Sequence, residues 1–494
     1  MIDLKENVKY FLKNKIFIGV LIIVAILSYG FTITHNGIGI DDLGSDRYVT
    51  GPYILSANRW GTWSIYNIFR IIEFTPFWLE LASVLIYMAT AVLSCSIIKT
   101  IAKDKISNFA YIIFSCMYIS YPILFYPLKY QPTNLTVALS NMILILMVYL
   151  IYKNYFNNSK LNNYTIYGLI SSFAIAMYES CIQTYIIFVF MILFLHFKYV
   201  DNQIKFIQII KLGLTYIAVL AIGIVSYLIV GAAFKMYLKA NNLLVENFAY
   251  HKTVKSFGII LDKINFFKYF EKIDYILGAF KYLSIVFIIS GLYELIRSKK
   301  WQYIFFSLIT VISSLIFFFI FESVLFRMYY SWAILIAFEA MYIFEVLRNI
   351  PVKNIDKFLT FIFMFIIIIQ TKETNQKAYE NYRIEEMSKN TALVVANTIM
   401  AECEDYKNKP LIYKDVEFIN EKESDMIYWG YNSFGEIGTE LTKYINHFGY
   451  NFENASQEVY DNLDEYTAED YAKSIKHNNY VSEGEKYIYI TINY

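Results

Sequence analysis

The sequence predicts an all-α polytopic membrane protein with a small α/β domain at its C-terminal end. Hydrophobic residues make up 57% and aromatic residues 19% of the 494 positions, a composition too apolar for a soluble chain of this length. Most apolar residues fall into runs near the length of about 20 residues that a membrane-spanning helix needs. These runs stop at residue 371, so we predict a membrane domain over residues 1–371 and an α/β domain over residues 372–494.

The apolar runs predict about 11 transmembrane helices. The first run ends in ILSYGFTITHNG, which lacks a small-residue cleavage pattern and therefore predicts a retained span. The stretch Tyr164–Phe197 is interrupted by Glu179 and Gln183, and we interpret it as two spans. The predicted spans are Ile16–Thr34, Pro76–Ile101, Phe109–Leu128, Leu135–Tyr152, Tyr164–Met177, Ile182–Phe197, Leu212–Ala233, Tyr275–Ile296, Trp301–Phe321, Met328–Val346 and Phe358–Thr371.

Lysine and arginine residues predict the orientation, because positive charge is retained on the cytoplasmic side. With a cytoplasmic N-terminus, every predicted cytoplasmic loop is basic, whereas a single span over Tyr164–Phe197 would place the later clusters outside. The abundance of Ile, Lys, Asn and Tyr is typical of an AT-rich bacterium. We therefore expect a multi-pass protein of the cytoplasmic (inner) membrane with an extracytoplasmic C-terminal domain. The basic residues are Lys5, Lys9, Lys13, Lys15, Lys99, Lys103, Lys105, Lys153, Lys160, Lys198, Lys205, Lys211, Arg297, Lys299, Lys300, Arg348, Lys353 and Lys357.

Two further polar regions are predicted to lie outside the cytoplasm. Met236–Asp274 has apolar residues at three- and four-residue spacing, which predicts amphipathic helices on the bilayer surface. The C-terminal region predicts a helix over Tyr379–Ala401, a strand over Pro410–Tyr413 and a closing strand in the alternating segment KYIYITINY.

The first polar region, His35–Trp63, carries the candidate general base. Asp41 and Asp42 follow the first span by a few residues and are expected near the outer membrane interface. Neighbouring residues on a helix point about 100° apart, so the two carboxylates are not expected to share one role. Either could act as a base on an outward-facing substrate. In the alternative, Asp42 caps the next helix and Asp41 is solvated.

Three cations at predicted outer span ends are candidate phosphate ligands. Arg59 lies in SANRWGTW, Lys129 in YPLKYQPTN and Arg327 in FESVLFRMYYSW. A guanidinium binds phosphate through two parallel hydrogen bonds. In the alternative, each side chain is an anchor that extends to the headgroup level. Together the three cations predict a phosphate or pyrophosphate site.

Polar residues within or beside the apolar runs are candidates for a substrate cavity. A charge near the bilayer centre costs about 2.5–3.5 kcal/mol, so Glu179 should face a cavity or mark a break between helices. In the alternative, Glu179 lies at the outer turn between two spans, where its cost is small. Every placement brings Glu179 toward an outer cavity. The candidate cavity residues are Trp60, Tyr130, Gln131, Tyr178, Glu179 and Gln183.

Several function classes lack their sequence patterns. The chain has no GxxxxGK[ST] phosphate loop, no paired-cysteine or HExxH zinc pattern and no GxSxG elbow, so nucleotide-driven transport and zinc hydrolysis are unsupported. Cys403 stands alone in the polar tail, and the five histidines have no ligand spacing, so we assign no metal ligands and expect the histidines at the surface. A net charge of +1 gives no reason to expect a nucleic acid partner.

Five short segments occur in an informative order along the membrane part. They are Asp41-Asp42, Arg59-Trp60-Gly61, Tyr130-Gln131-Pro132, Tyr178-Glu179-Ser180 and Phe326-Arg327. In this order the chain resembles the multi-spanning glucosyltransferases that modify O-antigen in serotype conversion, the Gtr type II-like family, which has a GT-C type of architecture. Asn58 and Glu179 depart from the family pattern, which more often has Gly and Gln at these positions.

The resemblance implies transfer of a hexose, expected to be glucose, from a polyprenyl-phosphate carrier to a cell-envelope glycan on the outer face of the membrane. Asp41 or Asp42 would accept the proton of the acceptor hydroxyl. Arg59, Lys129 and Arg327 would stabilise the departing lipid phosphate. The implied partners are the lipid-linked donor, the glycan acceptor and membrane lipid. No cofactor is required, and a divalent metal near the aspartates is left open.

Three other functions compete with this interpretation. A lipid-linked saccharide flippase or exporter should carry ionisable residues along a central pathway, whereas here they gather at outer span ends. An envelope glycan polymerase would not need the added C-terminal domain. A structural or sensory protein could bind a ligand through that domain.

Overall fold

A computed structural model describes most of the chain, and its described residues fall into two compact units. The first unit ends at Ala378, and the second contains Tyr379–Tyr494. The described residues are 4–35, 51–69, 77–129, 131–157, 162–200, 206–244, 275–320, 326–416, 442, 445–446, 449–456, 458–459 and 462–492.

The described part of the first unit is almost entirely helical. Single turns of 3-10 helix occupy Lys103–Lys105, Pro122–Leu124, Glu179–Cys181 and Phe326–Tyr329, and a π-helical turn occupies His196–Val200. The helices are α1 Leu4–Lys13, α2 Lys15–Thr34, α3 Pro52–Ser56, α4 Trp60–Phe69, α5 Trp78–Ala102, α6 Asn108–Ser120, α7 Phe125–Lys129, α8 Gln131–Phe156, α9 Asn162–Met177, α10 Ile182–Leu195, α11 Phe206–Ala240, α12 Tyr275–Ser298, α13 Gln302–Ser313, α14 Ile316–Ile320, α15 Trp332–Leu347 and α16 Ile355–Glu402.

The predicted fold class is confirmed, but the count of eleven spans is not. Among the described residues, six helices are long and apolar enough to cross a membrane. The bent pair Asn108–Ser120 and Pro122–Lys129, which meet at 43°, would make a seventh span. Other predicted spans fall on shorter helices, such as the 16 residues of α15. Such a helix is about 24 Å long, less than the hydrocarbon thickness of roughly 30 Å.

The core of the first unit lies around α15. Its residues from Trp332 to Val346 are all buried, and apart from Glu339 and Glu345 they are apolar, as expected of a helix surrounded by protein. Helix α6 packs against α15, while α8 packs between α5 and α9, and α11 packs along α9. Helix α11 continues to Ala240, so the start of the predicted amphipathic segment belongs to it; the rest of that segment, from residue 245, lies outside the described residues.

The second unit contains a small four-stranded sheet, as the α/β prediction requires. Strand β1 (Leu411–Val416) pairs in parallel with β4 (Ile488–Ile492). Strand β4 pairs antiparallel with β3 (Val481–Glu483), and β3 pairs antiparallel with β2 (Ile475–Lys476). Side chains alternate between the two faces of the sheet, so that Leu411 and Ile488 pack with Val395 of α16, while Ile412 packs on the other face. The elements are β1 Leu411–Val416, α17 Leu463–Ala472, β2 Ile475–Lys476, β3 Val481–Glu483 and β4 Ile488–Ile492.

The expectation that the histidines lie at the surface is wrong for two of them. His196 is 4% exposed, and its ring stacks on Phe156 and contacts the hydroxyl of Tyr152. The side chain of His477 is 13% exposed and lies between two carboxylates. Each ring has at least one partner from a distant part of the chain, Phe156 for His196 and Glu402 for His477, which local spacing does not show.

Candidate functional site

The candidate site is centred on a break between helices α9 and α10. Helix α9 ends at Met177, Tyr178 is extended with φ −161° and ψ 114°, and the turn Glu179–Cys181 leads into α10. The Glu179 side chain is 29% exposed, so its carboxylate reaches the surface of the helix bundle. The break therefore avoids the cost of burying a charge, in agreement with the predicted interruption at Glu179.

Helix α4 docks on the end of α9 next to this break. A Cβ atom on Gly61 would lie 2.7 Å from the backbone atoms of Phe173, Ala176 and Met177, so only glycine permits this approach. The hydroxyl of Thr62, which is fully buried, donates to the carbonyl oxygen of Met177 at 2.7 Å. These contacts fix the first turn of α4 against the residue that precedes Tyr178.

Arg59 immediately precedes α4 and thereby reaches the break. Its Nε atom lies 3.8 Å from Oε2 of Glu179, and its guanidinium carbon lies 4.9 Å from the ring centroid of Tyr178. The Arg59 side chain is 25% exposed. Its plane is thus held by an ion pair and a cation–π contact while part of the guanidinium faces solvent.

The residue before Arg59 has a backbone conformation that few side chains adopt. Asn58 has φ 64°, in the left-handed region that glycine and asparagine occupy most readily. Its side chain lies against the α-carbon of Gly231 in α11, where an added Cβ would clash with it. Asparagine can therefore occupy this position before Arg59 with less strain than most side chains would incur.

Tyr227 completes the set of contacts around the carboxylate. Its hydroxyl donates to Oε1 of Glu179 at 2.8 Å, and its carbonyl oxygen accepts the indole N–H of Trp60 at 3.4 Å. Oε1 of Glu179 therefore accepts a hydrogen bond from Tyr227, while Oε2 forms a longer ion pair with Nε of Arg59, which has no hydrogen-bond partner among the described residues. Such a carboxylate is suited to holding the arginine in place rather than to accepting a proton from substrate.

The far side of the break packs on the residues before α15. The rings of Tyr178 and Tyr330 lie 6.0 Å apart, and the Tyr330 hydroxyl donates to Sγ of Cys181 at 2.6 Å. Gln183 is fully buried, donates to the carbonyl of Ser314 and accepts from Ser331 at 2.6 Å. These hydrogen bonds join Gln183 to neighbouring helices, so we assign it no role in binding substrate.

The other two predicted cations, Lys129 and Arg327, lie in neighbouring backbone elements. Lys129 is the last residue of α7, and this helix packs against the turn Phe326–Tyr329 that contains Arg327. The same turn leads directly to Tyr330 and so to Tyr178. The helix that ends at Lys129 thus adjoins the turn of Arg327, and that turn leads to Tyr330, whose ring contacts the Tyr178 ring beneath Arg59.

Several predicted site residues fall outside what the structure describes. Asp41, Asp42 and Tyr130 lie outside the described residues, and Gln131 and Arg327 are described only in their backbone. Tyr227 and Tyr330 were not predicted from the sequence. The chain has 46 tyrosines, so residue type alone could not single these two out.

Comparison with protein families identifies the chain. The family model described as Glucosyl transferase GtrII matches residues 30–367, which is more than half of the chain. The chain belongs to the GtrII glucosyl transferase family. Comparison with curated proteins and with solved structures finds no match. The match includes the Arg59 and Glu179 elements described above, so this GtrII protein is a membrane glucosyltransferase whose apolar helices carry the cluster.

Proposed function

We propose that this GtrII protein transfers glucose from a polyprenyl-phosphate carrier to a cell-envelope glycan, on the outer face of the bacterial cytoplasmic membrane. The observation that carries the proposal is the Arg59 guanidinium, held between Glu179 and the Tyr178 ring at a helix break in a glucosyltransferase. A lipid-linked donor would present a phosphate to such a cation at the membrane interface.

Arg59 is the proposed ligand of the donor phosphate. Its ion pair with Glu179 engages the Nε edge of the guanidinium, which leaves the terminal nitrogens as the proposed donors to two phosphate oxygens. The Tyr178 ring fixes the plane of the group. We assign Glu179 and Tyr178 as positioning residues, and Lys129 and Arg327 as further cations of the phosphate site.

The proposed reaction is a direct displacement at the anomeric carbon of glucose. The acceptor hydroxyl oxygen forms a bond to this carbon as the bond from the carbon to the phosphate oxygen breaks. The hydroxyl proton passes to Asp41 or Asp42, and the phosphate oxygen leaves with the bonding electron pair. Arg59 stabilises the negative charge that develops on the polyprenyl phosphate, so no nucleotide is needed.

Contacts among helix ends support the proposed orientation. Lys105 donates to the carbonyl of Tyr199, and Ser107 donates to Glu345 at 2.6 Å. These pairs join three loops that the basic residues assign to the cytoplasm. Tyr199 and Glu179 lie beyond opposite ends of α10, so the Arg59 cluster lies at the other, outer end of that helix.

The C-terminal region, residues 372–494, is proposed to form an extracytoplasmic domain that selects the acceptor. Its support is the continuation of α16 from the last predicted span into the sheet-containing unit. The N-terminus would then lie in the cytoplasm.

The experiment that tests this proposal measures transfer of radiolabelled glucose from polyprenyl-phosphate-glucose to envelope glycan. Membranes would carry wild type, Asp41→Asn, Asp42→Asn or the control Asp356→Asn at matched expression. The control makes the same chemical change at an exposed residue on the opposite, predicted cytoplasmic side. We expect one of the first two substitutions to abolish transfer and the control to retain it. Wild-type transfer by both aspartate variants would contradict the assigned base. No transfer by wild-type membranes would favour the flippase or polymerase.

A further inference from the structure

The second unit brings together three potential metal ligands, two from one hairpin and a third from the end of α16. Ligand atoms of Cys403, His477 and Glu483 all lie within 4.8 Å of one another, and Cys403 and Glu483 are buried. Cys403 directly follows α16, His477 follows β2, and Glu483 ends β3. The cluster therefore joins the end of the long helix to the hairpin of the sheet.

The distances suit a tetrahedral ion. Bonds of about 2.0–2.3 Å at tetrahedral angles place neighbouring ligand atoms roughly 3.4–3.6 Å apart. Nε2 of His477 lies 3.1 Å from Oε2 of Glu483, so a small outward rotation of these side chains would admit an ion. A thiolate, an imidazole and a carboxylate form the mixed donor set typical of zinc.

The surroundings of the cluster resemble the outer shell of a metal site. Nδ1 of His477 lies 3.4 Å from a carboxylate oxygen of Glu402, an arrangement that fixes a ligating imidazole with Nε2 toward the metal. Lys409 donates to Oε1 of Glu483 at 2.6 Å, which leaves Oε2 for the ion. The thiolate and two carboxylates would be balanced by Lys409 and one divalent cation.

We propose that Cys403, His477 and Glu483 bind a zinc ion, with Glu402 orienting the histidine. Three protein ligands leave one coordination position open for water or a substrate oxygen. The ion fastens the end of α16 to the β2–β3 hairpin. The alternative is a metal-free network in which His477 lies between Glu402 and Glu483.

The test uses the full chain in detergent, stripped with a chelator and reloaded with Zn²⁺ or with Co²⁺ as a spectroscopic probe. We expect about one tightly bound zinc ion per chain and, with Co²⁺, a thiolate-to-metal absorption band. Cys403→Ser should abolish the band, and Cys116→Ser, in α6 of the first unit, should retain it. If Cys403→Ser keeps the folded structure of the wild type but no longer binds zinc, the result supports the site.

A second variant keeps the proposal falsifiable if Cys403→Ser fails to fold. Glu402 is exposed, and Glu402→Gln should weaken zinc binding about 10–100-fold while the matched control Glu404→Gln has no effect. No bound zinc in the wild type, or unchanged affinity in Glu402→Gln together with an unchanged band in Cys403→Ser, would overturn the proposal. Neither readout depends on glucose transfer, so failure here leaves the proposed function standing.

Discussion

Replacement of Gly61 by alanine tests how α4 positions Arg59. The added Cβ would lie 2.7 Å from three backbone atoms of α9, whereas ordinary contacts are about 3.5–4.0 Å. Backbone cannot rotate away as a side chain can, so the two helices must separate by roughly 1 Å. Overpacking of this kind typically costs about 1–3 kcal/mol. Because Arg59 lies two residues before Gly61, the same displacement moves the guanidinium away from Glu179.

The assay compares Gly61→Ala with the matched control Gly213→Ala. Gly213 lies in α11, and an added Cβ there meets nothing within 4 Å. We expect Gly61→Ala to lose about 1–3 kcal/mol of unfolding free energy relative to the control. A misplacement of 1 Å can cost about 100-fold in rate. The rate of glucose transfer should therefore fall by more than the loss of folded protein alone would cause. If Gly61→Ala matches the control in denaturant unfolding and transfers glucose at the wild-type rate, the docking argument is refuted.

Three further predictions concern the same region. Arg59→Lys keeps the charge but loses the planar guanidinium, so kcat/KM for the lipid donor should fall about 10–100-fold. In a double-mutant cycle of Arg59→Gln and Glu179→Gln, read as transfer rate, we expect a coupling of about 1–3 kcal/mol because the pair acts as a unit. Asn58→Ala should be about 1 kcal/mol less stable than Asn58→Gly in denaturant unfolding, because both lose the side chain but only alanine is strained at φ 64°.

A specific experimental result would contradict each of these three predictions. Equal activity of Arg59→Lys and wild type would mean that a point charge suffices. Arg297→Gln, an exposed arginine at the end of α12, serves as the control for Arg59→Gln and should leave transfer unchanged. Additive losses in the cycle would show that Glu179 does not position Arg59. Equal stabilities of the two Asn58 variants would show that the left-handed conformation is not maintained.

The sequence alone predicted where the helices break more reliably than how their ends meet. The interruption at Glu179 follows from the cost of a charge in an apolar run, and α9 and α10 separate there. The number of spans was harder to predict because α15 and α13 are shorter than a bilayer is thick. A helix buried inside the protein and a helix buried in lipid have similarly apolar sequences, so hydropathy alone does not distinguish them.

The contacts within the site depend on packing that no local pattern encodes. Arg59 and Glu179 are far apart in sequence, and they meet because Gly61 lets α4 approach α9. Gln183 is polar, as a cavity residue would be, but its side chain forms hydrogen bonds with Ser314 and Ser331. Sequence reasoning could place these residues at helix ends but could not assign their partners.

The same limit applies to the C-terminal unit. A zinc motif is normally recognised by short spacing between paired cysteine or histidine ligands. His477 and Glu483 are six residues apart, but Cys403 lies far from both in the sequence. They converge because α16 ends beside a hairpin whose strands pair with antiparallel register. Secondary structure was predicted here, as the helix through Ala401 and the strand from Leu411 show, but the register of the sheet was not.

The most direct test of the central claim is donor choice by the purified chain in lipid nanodiscs. Radiolabelled glucose would be supplied either on polyprenyl phosphate or on a nucleotide, with envelope glycan as acceptor and Arg59→Gln beside wild type. We predict transfer from the lipid donor, none from the nucleotide donor, and a loss of transfer in Arg59→Gln. Transfer from the nucleotide but not from the lipid donor would contradict the account.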